Sequence, residues 1–286
     1  MHEESYGDRP RPARNPRDLR RSNSDDRMRS PEIDEDVTGK ELDRAALLQL
    51  RTLDDTNRPW VAKHLVMAGR LVDIAPEIAF QHALAASRRG GRLGIVREAV
   101  GLTAYAAGDF AEALRELRTY RRISGDQTHL PVLADCERGL GRPEKAIELS
   151  QSEEVAALTG PVRAEMAMVV SGAYSDLGDH ASALSALEVP ELDINRAFSF
   201  SPRLFTAYAA ALETVGREEE AQRWREQAFA AERALGSGAF EDPEIFDFDD
   251  EPADLPKVKD VLGQGKGRGQ GREQGRDGDR RRGGRA

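Results

Sequence analysis

The chain has 286 residues, of which 33% are charged and 39% are hydrophobic, and its formal net charge at pH 7 is -9. A single cysteine, Cys136, excludes an internal disulfide framework and favours a reducing compartment. No apolar run approaches the ~20 residues of a membrane helix, and no apolar signal segment opens the chain, so we expect a cytoplasmic protein without a membrane partner.

Residues 1–36 are rich in Arg, Pro, Ser and Asp and offer few apolar side chains for burial. Such a composition cannot offset the entropy of ordering the chain, so we predict a disordered N-terminal tail.

An N-capping helix is predicted over 38–54. Thr38 and Glu41 have the spacing of a capping box, and an apolar stripe runs from Leu42 to Leu53. This helix has no hairpin partner before it, so we expect it to cover the exposed end of a helical stack.

The unit at 94–127 has the clearest pattern in the chain. Val100, Gly101 and Tyr105 share one stripe of a first helix that ends at Gly108, and the inward stripe of a second helix follows from Ala113 to Tyr120. A glycine between the two runs is typical of a helix that ends in the left-handed conformation. So short a turn predicts two antiparallel helices.

The turn of this unit recurs along the chain. Gly141, Gly178 and Gly216 repeat the position of Gly108, and Ala75 replaces the glycine upstream. An alanine follows each turn at the same place in the second helix, at Ala79, Ala113, Ala146, Ala183 and Ala221. Self-similarity at this spacing predicts an all-α repeat domain over 37–236, with units at about 60–93, 94–127, 127–160, 164–197 and 202–235.

The small–aromatic–small pattern of Gly101, Tyr105 and Ala113 resembles that of the tetratricopeptide repeat (TPR) family. The resemblance implies a right-handed α-α superhelix of stacked helix-turn-helix hairpins that acts as a protein-binding scaffold. The alanine- and arginine-rich composition favours a high-GC bacterial source, such as an actinomycete.

In that family the first helices line a concave groove. The matching positions in this chain are the peptide-groove candidates His64, Leu102, Tyr105, Asp135, Arg138, Ser175 and Glu213. Two interpretations stay open, ordinary packing between helices or a groove for a peptide or helix of an unidentified protein partner. Family members that hold the C-terminal carboxylates of chaperones use Lys and Asn at two of these positions. This chain has Glu98 and Leu102, then Pro131 and Asp135, at the matching places, which argues against that ligand.

Arg115, Arg118 and Arg122 fall on one face of a second helix. This basic face is either a solvated helix surface or a patch that binds phosphate or an acidic tail. At the end of the array no further helix is predicted after Leu235, so Trp224 and Phe229 are expected to be partly uncovered and to offer a surface for self-association.

Residues 237–286 are predicted to be a second disordered tail. The part at 241–254 holds eight acidic residues around Ile245, Phe246 and Phe248, and the part at 255–286 holds ten Lys+Arg against four Asp+Glu. The Gly/Arg-rich end either contacts RNA or only solubilises the chain. Its candidate RNA contacts are Arg268, Arg272, Arg276, Arg280, Arg281 and Arg282.

The chain contains no motif for a catalytic, metal or cofactor site, such as HExxH, CxxC or a Walker-type glycine loop. We therefore expect a non-enzymatic scaffold with no cofactor and no metal. The alternative is an RNA- or ribosome-associated protein that acts through its tail.

Overall fold

The computed structural model of the protein describes residues 30–236. Residues 1–29 of the disordered tail predicted at 1–36, and the whole of the tail predicted at 237–286, lie outside these residues. The described residues are all-helical and contain no strand, which confirms the all-α class for this part of the chain. None of their helices is long and apolar enough to cross a bilayer.

The helices are α1 (Arg44–Leu50), α2 (Asn57–Leu71), α3 (Pro76–Gly90), α4 (Gly94–Ala106), α5 (Phe110–Ser124), α6 (Leu130–Gly139), α7 (Pro143–Ser150), α8 (Glu153–Ala156), α9 (Gly160–Asp176), α10 (His180–Ala186), α11 (Ser201–Thr214) and α12 (Glu218–Leu235). Successive hairpins form from α2–α3, α4–α5, α6–α7, α9–α10 and α11–α12, and each one contacts the next along the chain.

Four of the hairpin turns share one hydrogen-bonded geometry. Gly108, Gly141, Gly178 and Gly216 all adopt positive φ angles, between 71° and 81°. In the first of these turns the N–H after the glycine, that of Asp109, donates to the carbonyl oxygen of Ala104 at 2.8 Å, and the other three turns repeat this bond. This is the Schellman ending, which satisfies carbonyls at the helix terminus and favours glycine.

The small residues of the repeat lie at the contacts between paired helices. The five repeated alanines are at most 2% exposed. At Gly101 an added Cβ would lie 2.6 Å from Cγ of Leu117 in the facing helix. Helices α4 and α5 therefore approach so closely at Gly101 that a side chain at this position would collide with Leu117.

The buried side chains form two large clusters that meet at α9. Met166, Val170 and Ala173 of α9 belong to a cluster that also draws on α2 to α7. Ala164 and Ala167 of the same helix belong to a second cluster with α10, α11 and α12. Both clusters consist of side chains from successive hairpins, as expected when each hairpin buries its apolar stripe against its neighbours.

Cys136 lies in the first of these clusters and is fully buried. Burial, together with the nearby Asp135 and Glu137, raises the pKa of its thiol to about 12. The residue therefore behaves as a small core side chain.

The N-terminal helix begins later than the sequence predicts. The N–H of Thr38 does donate to Glu41 Oε1 at 2.8 Å, as in a capping box. Gly39, however, has φ 85°, and an added Cβ there would lie 2.9 Å from Cβ of Ala62. The chain stays non-helical across this close contact, and α1 begins after Asp43, whose carboxylate accepts from the N–H of Ala46 at 2.8 Å.

Residues 30–36, which the sequence assigns to the disordered tail, instead contact α2 and α3. Arg70 donates to Asp36 at 2.8 Å and Arg88 donates to Ser30 at 3.0 Å. Ile33 and the buried Val37 pack against Val66 and other apolar side chains of α2. Together with the residues before α1, they form an N-terminal segment (30–43) that covers part of the first hairpin.

The last hairpin leaves one large aromatic side chain largely uncovered. Trp224 packs against Phe205 and Tyr208, each at a ring-centroid distance of 5.1 Å, and is partly buried. Phe229 is 60% exposed. Both residues are therefore partly uncovered, as predicted, and Phe229 offers the larger open surface.

The connection between α10 and α11 is held against the last hairpin. Phe200 is buried and stacks on Phe198, with ring centroids 5.3 Å apart. The side-chain amide of Gln227 in α12 donates to the carbonyl oxygen of Ile194 at 2.7 Å. These contacts explain how a long connection stays ordered between two hairpins.

Candidate functional site

The first helices α4, α6, α9 and α11 form a surface that we call the first-helix face. Tyr105 of α4 donates its hydroxyl proton to Asp135 of α6 at 2.6 Å. Arg138, one turn further along α6, donates to Asp135 at 2.8 Å and to Asp176 of α9 at 2.9 Å. A chain of polar contacts therefore joins three successive first helices.

Arg138 lies across α9 at a position where that helix has no side chain. A Cβ added at Gly172 would be 2.5 Å from Cζ of Arg138. Burial lowers the pKa of Arg138, but its contacts with Asp176 and Asp135 raise it further, and the net value lies above the usual one. The guanidinium is consequently a permanent cation between two carboxylates.

Tyr105 remains a neutral hydrogen-bond donor at the same face. Burial raises the pKa of its hydroxyl, and the hydrogen bond to Asp135 raises it further. The ring of Tyr105 lies 5.9 Å from that of Phe110, at the start of α5. The hydrogen bond to Asp135 therefore fixes the hydroxyl of Tyr105, and the contact with Phe110 fixes its ring.

Two more polar pairs connect neighbouring first helices. His129 Nε2 lies 2.7 Å from Glu98 Oε1, and Arg203 Nη1 lies 2.5 Å from Glu165 Oε1. Four acids and two arginines take part in these contacts between first helices, which gives a net charge of -2 (2 - 4) with His129 neutral. They are Glu98, Asp135, Glu165, Asp176, Arg138 and Arg203.

Several predicted groove residues do belong to this face. Tyr105, Asp135 and Arg138 form the polar chain, and Leu102 is half-buried and packs on the core beside them. Ser175 is exposed on α9. Glu213 is exposed too, but it pairs with Arg225 of α12 and not with a neighbouring first helix.

The prediction that His64 lines the groove is wrong. His64 is fully buried, 4.5 Å from the Trp60 ring and with its Nδ1 2.8 Å from Nδ1 of His82. Trp60 and His82 thus enclose a side chain whose position in the repeat would face the groove in a later unit.

The predicted basic face is only partly brought together. Arg115 and Arg118 line a cavity of about 450 Å³, and Arg142 of the next hairpin joins them. Arg122 is exposed on α5 and does not line the cavity. Arg118 and Arg142 share one partner, because each lies 2.7 Å from a carboxylate oxygen of Glu137.

Sequence reasoning missed Arg142 and Glu137 as members of this cluster. Arg142 follows the turn glycine Gly141, where Asp109 and Asp179 stand in the equivalent turns. Comparing the turn residues across the repeats would have identified an arginine where two other repeats have an N-capping aspartate.

Chemically, these surfaces hold fixed charges and hydrogen-bond donors and are suited to binding. Within residues 30–236, no group of three or more His, Cys, Asp or Glu side chains could hold a metal ion. The candidate RNA contacts from Arg268 to Arg282 lie outside the described residues. Comparisons with protein-family models and with curated proteins found no match to this chain.

Proposed function

We propose that this protein is a non-enzymatic scaffold for protein–protein interaction. Its hairpins would continue one another as a right-handed α-α superhelix of the TPR kind, with the first-helix face as the concave groove for a peptide or helix of a partner. The observation that carries the proposal is the polar chain from Tyr105 through Asp135 and Arg138 to Asp176, which fixes half-exposed side chains across three hairpins.

Fixed side chains are a favourable property of a binding surface. Ordering a long side chain on binding costs about 0.5–1.5 kcal/mol, and a side chain that is already held avoids most of that cost. Arg138 is held by two carboxylates and by the shape of α9 at Gly172. A partner would therefore meet a surface whose donors and acceptors have set positions.

The charge of the face points to the chemistry of the partner segment. Its net charge of -2, counted over the four acids and two arginines named above, favours a partner rich in Lys or Arg. Leu102, Val132 and Val169 add half-buried apolar side chains from three successive first helices. A basic segment with apolar side chains would complement both properties.

The test compares two serine variants in the full chain. Ser175 is exposed on the first helix α9, and Ser185 is exposed on the second helix α10 of the same hairpin. We expect Ser175→Arg to add positive charge and bulk to the groove and to remove partners that the wild-type chain retains in affinity purification with mass spectrometry. Ser185→Arg is the matched control and should retain them.

The proposal fails if Ser175→Arg and Ser185→Arg retain the same partners as the wild-type chain. Circular dichroism of each variant shows whether the fold is intact, which separates a lost surface from a lost structure.

A further inference from the structure

A second surface of the protein has a different composition from the first-helix face. The cavity of about 450 Å³ lies between α5 and the turn that joins α6 to α7. Its lining residues are Ala111, Leu114, Arg115, Arg118, Leu140 and Arg142. Three guanidinium groups from two hairpins thus meet around one depression.

Buried carboxylates form ion pairs with these guanidinium groups. Glu112, Glu116 and Glu137 are 7%, 0% and 3% exposed. Arg115 contacts the first two, Arg97 also contacts Glu116, and Glu137 is shared between Arg118 and Arg142. Four arginines against three glutamates leave a net charge of +1 (4 - 3).

The charge that faces solvent is more positive than this sum. The side chains of Arg118 and Arg142 are 63% and 42% exposed, whereas that of Glu137 is 5% exposed. A guanidinium has five N–H donors, and a carboxylate engages at most two of them in a fork. Arg118 and Arg142 therefore have the donor capacity for a second oxyanion.

Apolar side chains set the second property of the cavity. Leu140 is 37% exposed, although it is the last residue before the turn glycine, and Leu114 and Ala111 complete the wall. A bare inorganic anion would leave these apolar atoms in contact with water. A ligand that carries an apolar group beside its negative charge would cover them as well.

The surroundings of the cavity exclude a long anionic polymer. Beyond Arg142 the next helices expose Glu144, Glu148, Glu153 and Glu154. A nucleic-acid backbone carries a charge at every nucleotide and needs a continuous basic track. These acids end the positive surface within about one hairpin, so the ligand is short or only locally acidic.

We propose that this cavity binds an acidic segment of a partner protein, in which Asp or Glu side chains flank one large apolar side chain. The carboxylates contact Arg118 and Arg142, and the apolar side chain lies on Leu140 and Leu114. The site is separate from the first-helix face and does not depend on the function proposed for it.

The experiment measures binding of labelled synthetic peptides to the full chain by fluorescence anisotropy. One peptide carries Glu and Asp around a single Phe, a second replaces that Phe by Ala, and a third replaces the acids by Lys around the same Phe. Inorganic phosphate serves as a competitor. The basic tail of the chain contributes the same background to every variant, so the differences between variants report the cavity alone.

Two variants test the cavity without leaving Glu137 unpaired. Leu140→Asp places a carboxylate on the wall and keeps every arginine, while Arg118→Lys keeps the charge but loses the planar fork. Arg122→Ala, on the same helix but outside the cavity, is the control. We expect the acidic Phe peptide to bind about tenfold more weakly to Leu140→Asp, and within about twofold of wild type to Arg122→Ala.

Three results would overturn the proposal. These are equal weakening by Arg122→Ala and Leu140→Asp, equal binding of the acidic peptides with Phe and with Ala, or displacement of the peptide by millimolar phosphate. The last two would assign the cavity to a simple anion. Thermal unfolding of each variant is measured in parallel. If Leu140→Asp does not fold, the affinity of Arg118→Lys for the acidic Phe peptide tests the cavity instead.

Discussion

The buried histidine pair should make the folded chain sensitive to mild acid. His64 and His82 are 0% and 1% exposed, and their Nδ1 atoms are 2.8 Å apart. One of the two nitrogens donates and the other accepts, so the accepting ring is neutral, and burial of both rings favours the neutral form of the donating ring as well. His64 Nε2 is buried and has no hydrogen-bond partner among the described residues, whichever tautomer His64 adopts.

The charges around the pair oppose protonation of His64. Burial lowers its pKa from 6.5 to about 4, and His82, Arg88 and Arg89 lower it in the same direction. Burial also lowers the pKa of His82, although Asp34 of the N-terminal segment raises it. The unfolded chain therefore takes up protons at a higher pH than the folded chain, and stability is lost as the pH falls from about 6.5 toward 4.

The magnitude follows from the two values for His64. The pKa of His64 is about 4 in the folded chain and 6.5 in the unfolded chain. This difference lowers the free energy of unfolding by about 2 kcal/mol at pH 5 relative to pH 8. For a domain of marginal stability this is a large fraction of the total.

Urea denaturation followed by circular dichroism at pH 8 and pH 5 measures this loss. The double variant His64→Leu/His82→Leu removes both partners together, so we expect a small effect at pH 8 and a loss about 2 kcal/mol smaller than that of wild type at pH 5. His180→Gln, at an exposed position, is the control. If the double variant loses as much stability as wild type between the two pH values, the histidine pair is not the cause.

Three further predictions concern packing. Gly101→Ala places a Cβ 2.6 Å from Leu117 Cγ and should lower the free energy of unfolding by about 1–3 kcal/mol in urea denaturation; a neutral effect would show that the α4–α5 hairpin can open at no cost. Phe205→Ala, at a side chain with no exposed area, should cost about 3–5 kcal/mol in the same assay, and a cost below about 1 kcal/mol would contradict the packing of Phe205 against Ala228 and Ala231 of α12. Gly172→Ala should displace Arg138 from Asp176, and the loss of that contact is measurable as a changed Arg Nε–H resonance in NMR; an unchanged resonance would refute the close approach.

The turns and the closest helix contacts could be predicted from the sequence because single residue types determine them. A positive φ angle favours glycine at Gly108, Gly141, Gly178 and Gly216, and the structure has that conformation at each of them. Two helices can approach closely only where small side chains lie between them, which is why the repeated alanines are buried. Both requirements are local and repeat with the hairpin.

Contacts between distant parts of the chain could not be read in the same way. Periodicity places His64 on a face of α2, but it does not show that His82 and the unusual N-terminal end of the array enclose it. The same holds for Glu137, whose two arginines come from α5 and from the turn after α6. A repeat pattern describes the average unit, and these residues depend on how one particular unit differs from it.

The position of α9 has a mechanical consequence for the array. This helix places buried side chains in both large clusters, and it also accepts Arg138 from the preceding hairpin and Arg203 from the following one. A tilt of α9 would strain both halves at once, whereas a tilt of α12 would disturb one half alone. Communication between the two ends of the stack would therefore run through this central helix.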